Sequence, residues 1–417
     1  MPRRVLILLS QLPHDPTSGA ARSIEGIGRE LAAEGFAVRA LATTATEGGL
    51  PHVGPGFLAS LGFRVETDRR AAIGSGRPLY RFNAGGVHTT LLDTAGLAPS
   101  AWDFSHGTQF NRILLRELES HPPDVLLTFG GTPGDQARRQ IVRAAGAAVV
   151  FSLMNLSYLH PLAFDGVDAV ITPSDFLSRL YADRIGLIST PLPDPIDPSD
   201  AIAPSPTPTY FTFVNPTPAK GVFFFAALAD QLARRPDIPL QVIEARGKGQ
   251  HLIQAGLNGG IDLRAHPNLR IVPARPRPRD VFADTKALLM PSVWDEPAGR
   301  LAAEAILNGL PALVSDRGGL PEVVGDGGIV LPIPASVTPD DTAPPPPAAV
   351  RAWADAIIRL NDDAPAYAAA CDRARAAAAR FDPVALRVRR AEFFRAVEPS
   401  REPVVRPAPA PSTQPAA

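Results

Sequence analysis

The sequence predicts an α/β protein of two doubly wound domains, and three observations lead there. At 417 residues the chain exceeds what one hydrophobic core usually supports. In both halves short apolar runs alternate with segments whose apolar residues recur at helical spacing, the pattern of βαβ units around a parallel sheet. Between the halves lies PLPDPIDPSDAIAPSPTP, residues 191–208, whose prolines favour an extended, aperiodic connection. This gives a first domain over 1–190, a linker over 191–208 and a second domain over 209–380. A helix over 383–397 follows, then a Pro- and Ala-rich tail over 398–417 that is expected to be disordered.

In the first half, Val5–Leu9 reads as a strand and the polar residues 10–19 as the loop after it. Ile24, Ile27 and Leu31 then mark one face of a helix ending at Gly35, and Phe36–Leu41 is the next strand. Residues 58–92 break the alternation; Pro78–Asn83 and Val87–Leu91, joined by Ala84-Gly85-Gly86, read as a hairpin that either lines an acceptor pocket or decorates an edge. The alternation resumes with helix 109–119, strand 124–129, the loop Gly130–Gly134, helix 135–145 and strand 147–153. Ala169–Ser174 (AVITPS) is echoed by Ala287–Ser292 (ALLMPS) in the other half, as two similarly wound domains would give.

Composition excludes several function classes. A formal net charge of −1 leaves no electrostatic footprint for nucleic acid. A lone Cys371 rules out an intramolecular disulfide framework and fits a reducing cytoplasm, the expected location. The apolar run after Met1-Pro-Arg-Arg is too short for a signal peptide, and no apolar stretch is long enough to span a bilayer. The segment 383–397, with Leu386, Arg390, Phe393 and Phe394, could be read as a basic membrane-surface helix, hence weak peripheral association, but is read in preference as a terminal helix returning to the first domain.

The chemistry concentrates in Pro291–Glu322, PSVWDEPAGRLAAEAILNGLPALVSDRGGLPE. The apolar run 286–290 is a buried strand, 292–297 a loop, and from Gly299 a helix carries Leu301, Ala302, Ala305 and Ile306 on one face until Asn308-Gly309. A helix start offers unpaired N–H groups and partial positive charge, which favours a diphosphate. Glu296 and Glu304 beside it are better suited to accept hydrogen bonds from neighbouring hydroxyls of a sugar or ribose. Hydroxyls flanking a diphosphate describe a nucleotide-sugar.

The E-x7-E pair, within E-P-A-G-R-x3-E-A and followed by N-G-x-P and G-G-x-P-E, resembles the donor-site signature of retaining glycosyltransferases of the GT-B fold, family 4 (glycosyl transferases group 1). The resemblance implies two Rossmann-like domains facing a cleft and transfer of a hexose from a nucleotide-diphosphate sugar to an unspecified acceptor. It implies that Glu296 contacts the transferred sugar, Gly299 the diphosphate and Glu304 the ribose. Ser18-Gly19-Ala-Ala-Arg22 is similar to the family's G-G-A-x-R loop, so Gly19 matches the glycine that approaches the diphosphate and Ser18 departs from the first. Lys220-Gly221 resembles the end of G-R-L-x3-K-G, whose lysine and arginine hold the diphosphate. Pro216 is read in the arginine's place, and Arg246, after strand 240–244, is the candidate for the second cation against the alternative of an exposed loop charge.

Met154 stands where many relatives have a histidine; His160, six residues on, is read as a solvated or core residue rather than its substitute. Lys220 and Glu296 are the expected catalytic residues. No cofactor is expected, and no metal either, since no D-x-D triplet is present to bridge one to the diphosphate. Two rival readings remain at this stage: another GT-B enzyme such as a nucleotide-sugar epimerase or a phosphorylase, and a non-catalytic nucleotide-sugar binding protein.

Overall fold

The computed structural model describes residues 2–15, 18–47, 53–69, 77–275, 277–400 and 402–406; the readings for the far tail and for part of the irregular stretch 58–92 lie outside these. The chain divides into two compact units, Met1–Pro195 with Val384–Ala417, and Ile196–Pro383.

Among the described residues the first unit holds nine strands: β1 (Arg4–Leu8), β2 (Ala37–Thr43), β3 (Glu66–Asp68), β4 (Leu79–Ala84), β5 (Val87–Leu92), β6 (Val125–Thr128), β7 (Ala148–Ser152), β8 (Ala169–Thr172) and β9 (Thr190–Pro191). Their order is β3-β4-β5-β2-β1-β6-β7-β8-β9, parallel except for the antiparallel pairs β3–β4 and β4–β5. β1 shows why its apolar run is buried on both faces. Val5 and Ile7 pack with Ile24, Ile27 and Leu31 of helix Gly19–Ala33, while Leu6 and Leu8 pack with Phe110, Leu114 and Leu118 of helix Phe104–Ser120. The hairpin is observed, at the far side of the sheet.

The second unit is a six-stranded parallel sheet: β10 (Tyr210–Val214), β11 (Leu240–Ile243), β12 (Leu269–Val272), β13 (Thr285–Met290), β14 (Ala312–Ser315) and β15 (Ile329–Leu331), in the order β12-β11-β10-β13-β14-β15. Ala287 and Leu289 face a cluster with Phe211, Phe213, Phe224 and Trp353, and Leu288 and Met290 face Ala302, Ile306 and Val314. In both sheets the first strand has neighbours that leave in opposite directions, β2 and β6 beside β1, β11 and β13 beside β10. The loops at the carboxyl ends there are where doubly wound sheets bind ligands.

Three boundaries differ from the sequence reading. The linker is not featureless: Thr190–Pro191 pairs with β8, Pro198–Ala201 is a helical turn capped by Asp197, and Ala203 N donates to Asn308 Oδ1 at 2.9 Å. The Asp197 cap outweighs the prolines there, because proline is well accommodated in the first turn of a helix. The tail is ordered as far as it is described. Ile188 N donates to Val404 O at 2.8 Å, Arg406 N to Gly186 O at 3.0 Å, and Val404 enters the core of the first unit. Finally, helix Pro383–Ala396 buries Ala391 and Phe394 in the first unit, so its apolar face is occupied by protein rather than left open to a membrane surface. No helix among the described residues is long and apolar enough to cross a membrane.

Candidate active site

The second unit assembles its chemistry at the carboxyl ends of β10 and β13. After β10 the chain turns through Asn215 (φ 65°) into a 3-10 turn, Pro218–Lys220, and Gly221 (φ 84°) starts helix Val222–Leu232. Only glycine serves at 221: a Cβ there would lie 1.9 Å from Pro291 O, in a conformation that L-residues rarely adopt. That close approach locks the Lys220 turn against the loop after β13, as does Val293 N donating to Ala219 O at 3.1 Å.

Glu296 sits in that second loop and is buried, with 4% of its surface exposed. Its Oε1 accepts from Lys220 Nζ at 2.5 Å and from Ser292 Oγ at 2.6 Å. The Lys220 ammonium also stands 5.4 Å from the centre of the Trp294 ring. A third loop braces the arrangement: Gly319 N donates to Glu296 O at 2.7 Å, and Gly318 (φ 62°) passes so close that a Cβ would meet Glu296 N and O at 2.3 Å.

Gly299 (φ 103°) precedes helix Arg300–Leu307, whose buried faces include Glu304. Arg300 Nε donates to Glu304 Oε1 at 3.0 Å, one turn apart on the same face. Arg300 Nη1 and Trp294 Nε1 are buried without a protein partner, two donors held at the same loop. An unpaired buried donor costs about 1–3 kcal/mol, so both suit a ligand that accepts hydrogen bonds.

Of the expected site residues, the structure therefore brings Lys220 and Glu296 into direct contact and places Gly299 and Glu304 at the adjoining helix start. Arg246 lies exposed on the loop after β11. That loop abuts the Lys220 loop, since Gly247 N donates to Asn215 Oδ1 at 2.7 Å and a Cβ on Gly247 would lie 2.4 Å from Pro216 O. Counted back from Lys220, the spacing of G-R-L-x3-K-G falls on Asn215 rather than on Pro216. Asn215 takes the left-handed backbone that asparagine tolerates and spends its side chain on Gly247. Sequence reasoning missed Ser292, Trp294 and Arg300; only Arg300 carried a signal, its four-residue spacing to Glu304.

Gly19 belongs to the first unit, at the start of helix Gly19–Ala33. Its backbone is unstrained and a Cβ there would meet nothing within 4 Å. Ser18 departs from a glycine because it is the N-cap: its hydroxyl accepts from Ala21 N at 3.3 Å. Met154 lines a cavity of about 260 Å³ at the carboxyl ends of β1 and β6. His160 is exposed and caps the 3-10 turn Pro161–Phe164, its Nδ1 accepting from Leu162 N at 3.3 Å.

Residues 207–376 match the family model described as Glycosyl transferases group 1. Similar solved structures include sucrose-phosphate synthase from Thermosynechococcus elongatus, with TM-score 0.67 and 16% identity over 94% of this chain and 98% of that one. HepE from Anabaena in complex with UDP and glucose gives 0.63 and 16%, over 94% and 99%. The pneumococcal O-GlcNAc transferase GtfA in complex with UDP and GlcNAc gives 0.65 and 11%, over 94% and 99%. Curated proteins give no match by sequence. The fold is thus the GT-B fold of glycosyltransferases. The segment that matches the family model, residues 207–376, holds Lys220, Glu296 and Glu304.

Proposed function

We propose that this protein is a retaining glycosyltransferase that moves a hexose from a nucleotide-diphosphate sugar to an acceptor hydroxyl without a divalent metal. The observation that carries the reading is the Lys220–Glu296–Ser292 cluster at the β10/β13 switch point, beside a helix start and the buried Glu304. Similar folds bound to UDP and a sugar support a donor of this kind.

In this reading the bond between the anomeric carbon and the diphosphate oxygen breaks. The acceptor oxygen bonds that carbon on the same face, and its proton goes to the departing diphosphate. Charge grows on the diphosphate as the bond breaks, so the Lys220 ammonium stabilises the transition state more than the ground state. An arriving diphosphate competes with Glu296 for that ammonium and turns the Glu296 carboxylate toward the sugar hydroxyls. Glu304, steadied by Arg300, receives the ribose. Arg246, on the loop after β11, is assigned to the donor diphosphate.

A thermal-shift panel of nucleoside diphosphates and their sugars tests the donor assignment. A true donor at a hundred times its Kd stabilises the fold by about 2.7 kcal/mol. Lys220→Ala is expected to weaken that response; a panel in which no nucleotide raises the melting temperature would remove the assignment.

A further inference from the structure

Arg300 is the first residue of the helix that starts after Gly299, and its guanidinium has one edge engaged and another idle. Nε donates to Glu304 Oε1 at 3.0 Å, one turn further along the helix. Nη1 is buried and has no partner. The two facts belong together, because a guanidinium is a planar and rigid fork. The edge that carries the Nε proton faces Glu304, so the Nη1 protons point away from that carboxylate and serve a different acceptor.

Charge around this helix start is balanced in pairs. Lys220 is spent on Glu296, whose Oε1 also accepts from Ser292 Oγ at 2.6 Å, and Arg300 is spent on Glu304. An arriving diphosphate contests the Lys220 ammonium with Glu296. Arg300 faces no such contest, since it keeps Glu304 through Nε while Nη1 turns to an anionic oxygen.

Trp294 adds a second donor of the same kind. Its Nε1 is buried without a partner, and its ring stands 5.4 Å from the Lys220 ammonium. Leaving such a donor dry and unpaired costs about 1–3 kcal/mol, so each marks a place that a ligand completes. The helix itself has Gly299 as its N-cap, which brings no side chain to its first N–H groups. Donors of this number ask for a ligand built of acceptors. Phosphate oxygens meet that demand, whereas ribose hydroxyls donate as well as accept and are matched by the Glu304 carboxylate. The Lys220 loop, for its part, lacks the guanidinium that the family resemblance implies: Asn215 stands there, uncharged, its Oδ1 accepting from Gly247 N at 2.7 Å.

We infer that Arg300 binds the donor diphosphate as well as supporting Glu304, so that one guanidinium joins the ribose-binding carboxylate to a phosphate oxygen. It thereby makes the site prefer a nucleoside diphosphate to the bare nucleoside. The inference rests on the donor reading and adds to it a residue that sets this preference.

Ligand-observed NMR titrations of the full chain with UDP, GDP and ADP, and with uridine, guanosine and adenosine, give the ratio of diphosphate to nucleoside affinity. Arg300→Gln keeps a hydrogen-bond donor for Glu304 but removes the charge, and Arg300→Ala removes both. Each places a good helix former at a helix end where the side chain is 18% exposed, so both variants keep the fold. Both are expected to lower the ratio at least tenfold for the nucleotide that the wild type binds best, the size of one charged hydrogen bond. Glu304→Gln loses ribose contacts that both ligands make; it lowers the two affinities together and keeps the ratio near the wild-type value. A residue that acts only through Glu304 reproduces that pattern, so an unchanged ratio in Arg300→Gln or in Arg300→Ala would overturn the inference. A wild type that binds none of the three diphosphates would instead remove the donor reading itself, and the assignment of Arg300 with it.

Discussion

Lys220 and Glu304 are both proposed to meet the donor, but their chemistry differs, so their variants should fail differently. The ribose does not change during the reaction, and Glu304→Gln therefore removes interactions that are equal in ground and transition states. It is expected to raise the donor KM about tenfold to a hundredfold, the size of a lost charged hydrogen bond, with kcat little changed. Lys220→Ala removes a cation from a charge that grows as the bond breaks, and kcat should fall by about a hundredfold or more. Steady-state kinetics on both variants checks this; equal losses of kcat with donor KM unchanged would deny Glu304 the ribose.

A second residue-scale expectation concerns His14, packed edge-on against the stacked rings of Phe63 and Phe82 with both ring nitrogens buried and without partners. Burial, with the nearby Arg29 charge, holds its pKa down to about 4. The neutral form is the one the fold accepts, so its contribution is complete above the unfolded value near 6.5 and is lost as pH falls toward 4. The loss amounts to about 3 kcal/mol over that window. Hydrogen-exchange protection of β1 amides should decline from pH 7 to pH 5, and His14→Leu should flatten the decline. An unchanged pH profile in His14→Leu would assign the effect elsewhere.

At the scale of elements, the site is made by three loops that approach one another more closely than side chains permit, and the glycines at 221 and 318 allow it. Gly221→Ala meets backbone, Pro291 O, which cannot swing away as a side chain would. The positive φ alone costs about 1–3 kcal/mol. The expected result is a lower melting temperature together with a raised donor KM, because the Lys220 turn and the Glu296 loop separate; a variant as stable and active as the wild type would show that the loops are not coupled. The elements themselves were largely legible. Strong two-faced apolar runs such as Val5–Leu8 and Ala287–Met290 announced their strands. β12 and β15 were passed over because they are short edge strands without a fully buried run. Helix Phe104–Ser120 began earlier than its apolar spacing, since the Asp103–His106 capping box starts it with an exposed Phe104. Glu296, Glu304 and Lys220 were singled out through spacing and motif, and the structure brings Lys220 and Glu296 into contact and buries Glu304. The Ser292 and Trp294 contacts were not, because loop geometry decides them and nothing periodic records it.

For the whole molecule, the first unit is discontinuous in sequence: helix Pro383–Ala396 and the following segment complete it. Arg390 fixes that return. It is 1% exposed, its Nη2 donates to Glu30 Oε1 at 2.7 Å and its Nη1 to Pro193 O at 2.5 Å. Arg390→Ala leaves Glu30 without its buried partner and is expected to cost the first unit about 3–5 kcal/mol. Urea unfolding of this variant, compared with Arg395→Ala at a half-exposed pair, distinguishes a structural lock from one more surface charge. The sequence pattern revealed two domains, and the resemblance favoured a last helix returning to the first of them over a membrane-surface helix, although an apolar stripe beside arginines by itself fits either.

The central claim is that the Lys220–Glu296 site breaks the bond between a sugar and a nucleoside diphosphate. Proton NMR of the full chain with the nucleotide-sugar that stabilises it best, in buffer containing a chelator, follows that bond directly. The account predicts that the nucleoside diphosphate is released, that the first sugar product keeps the donor's anomeric configuration, and that Lys220→Ala slows release by about a hundredfold. A donor that binds and stays intact, or one cleaved only after a divalent metal is restored, would contradict it.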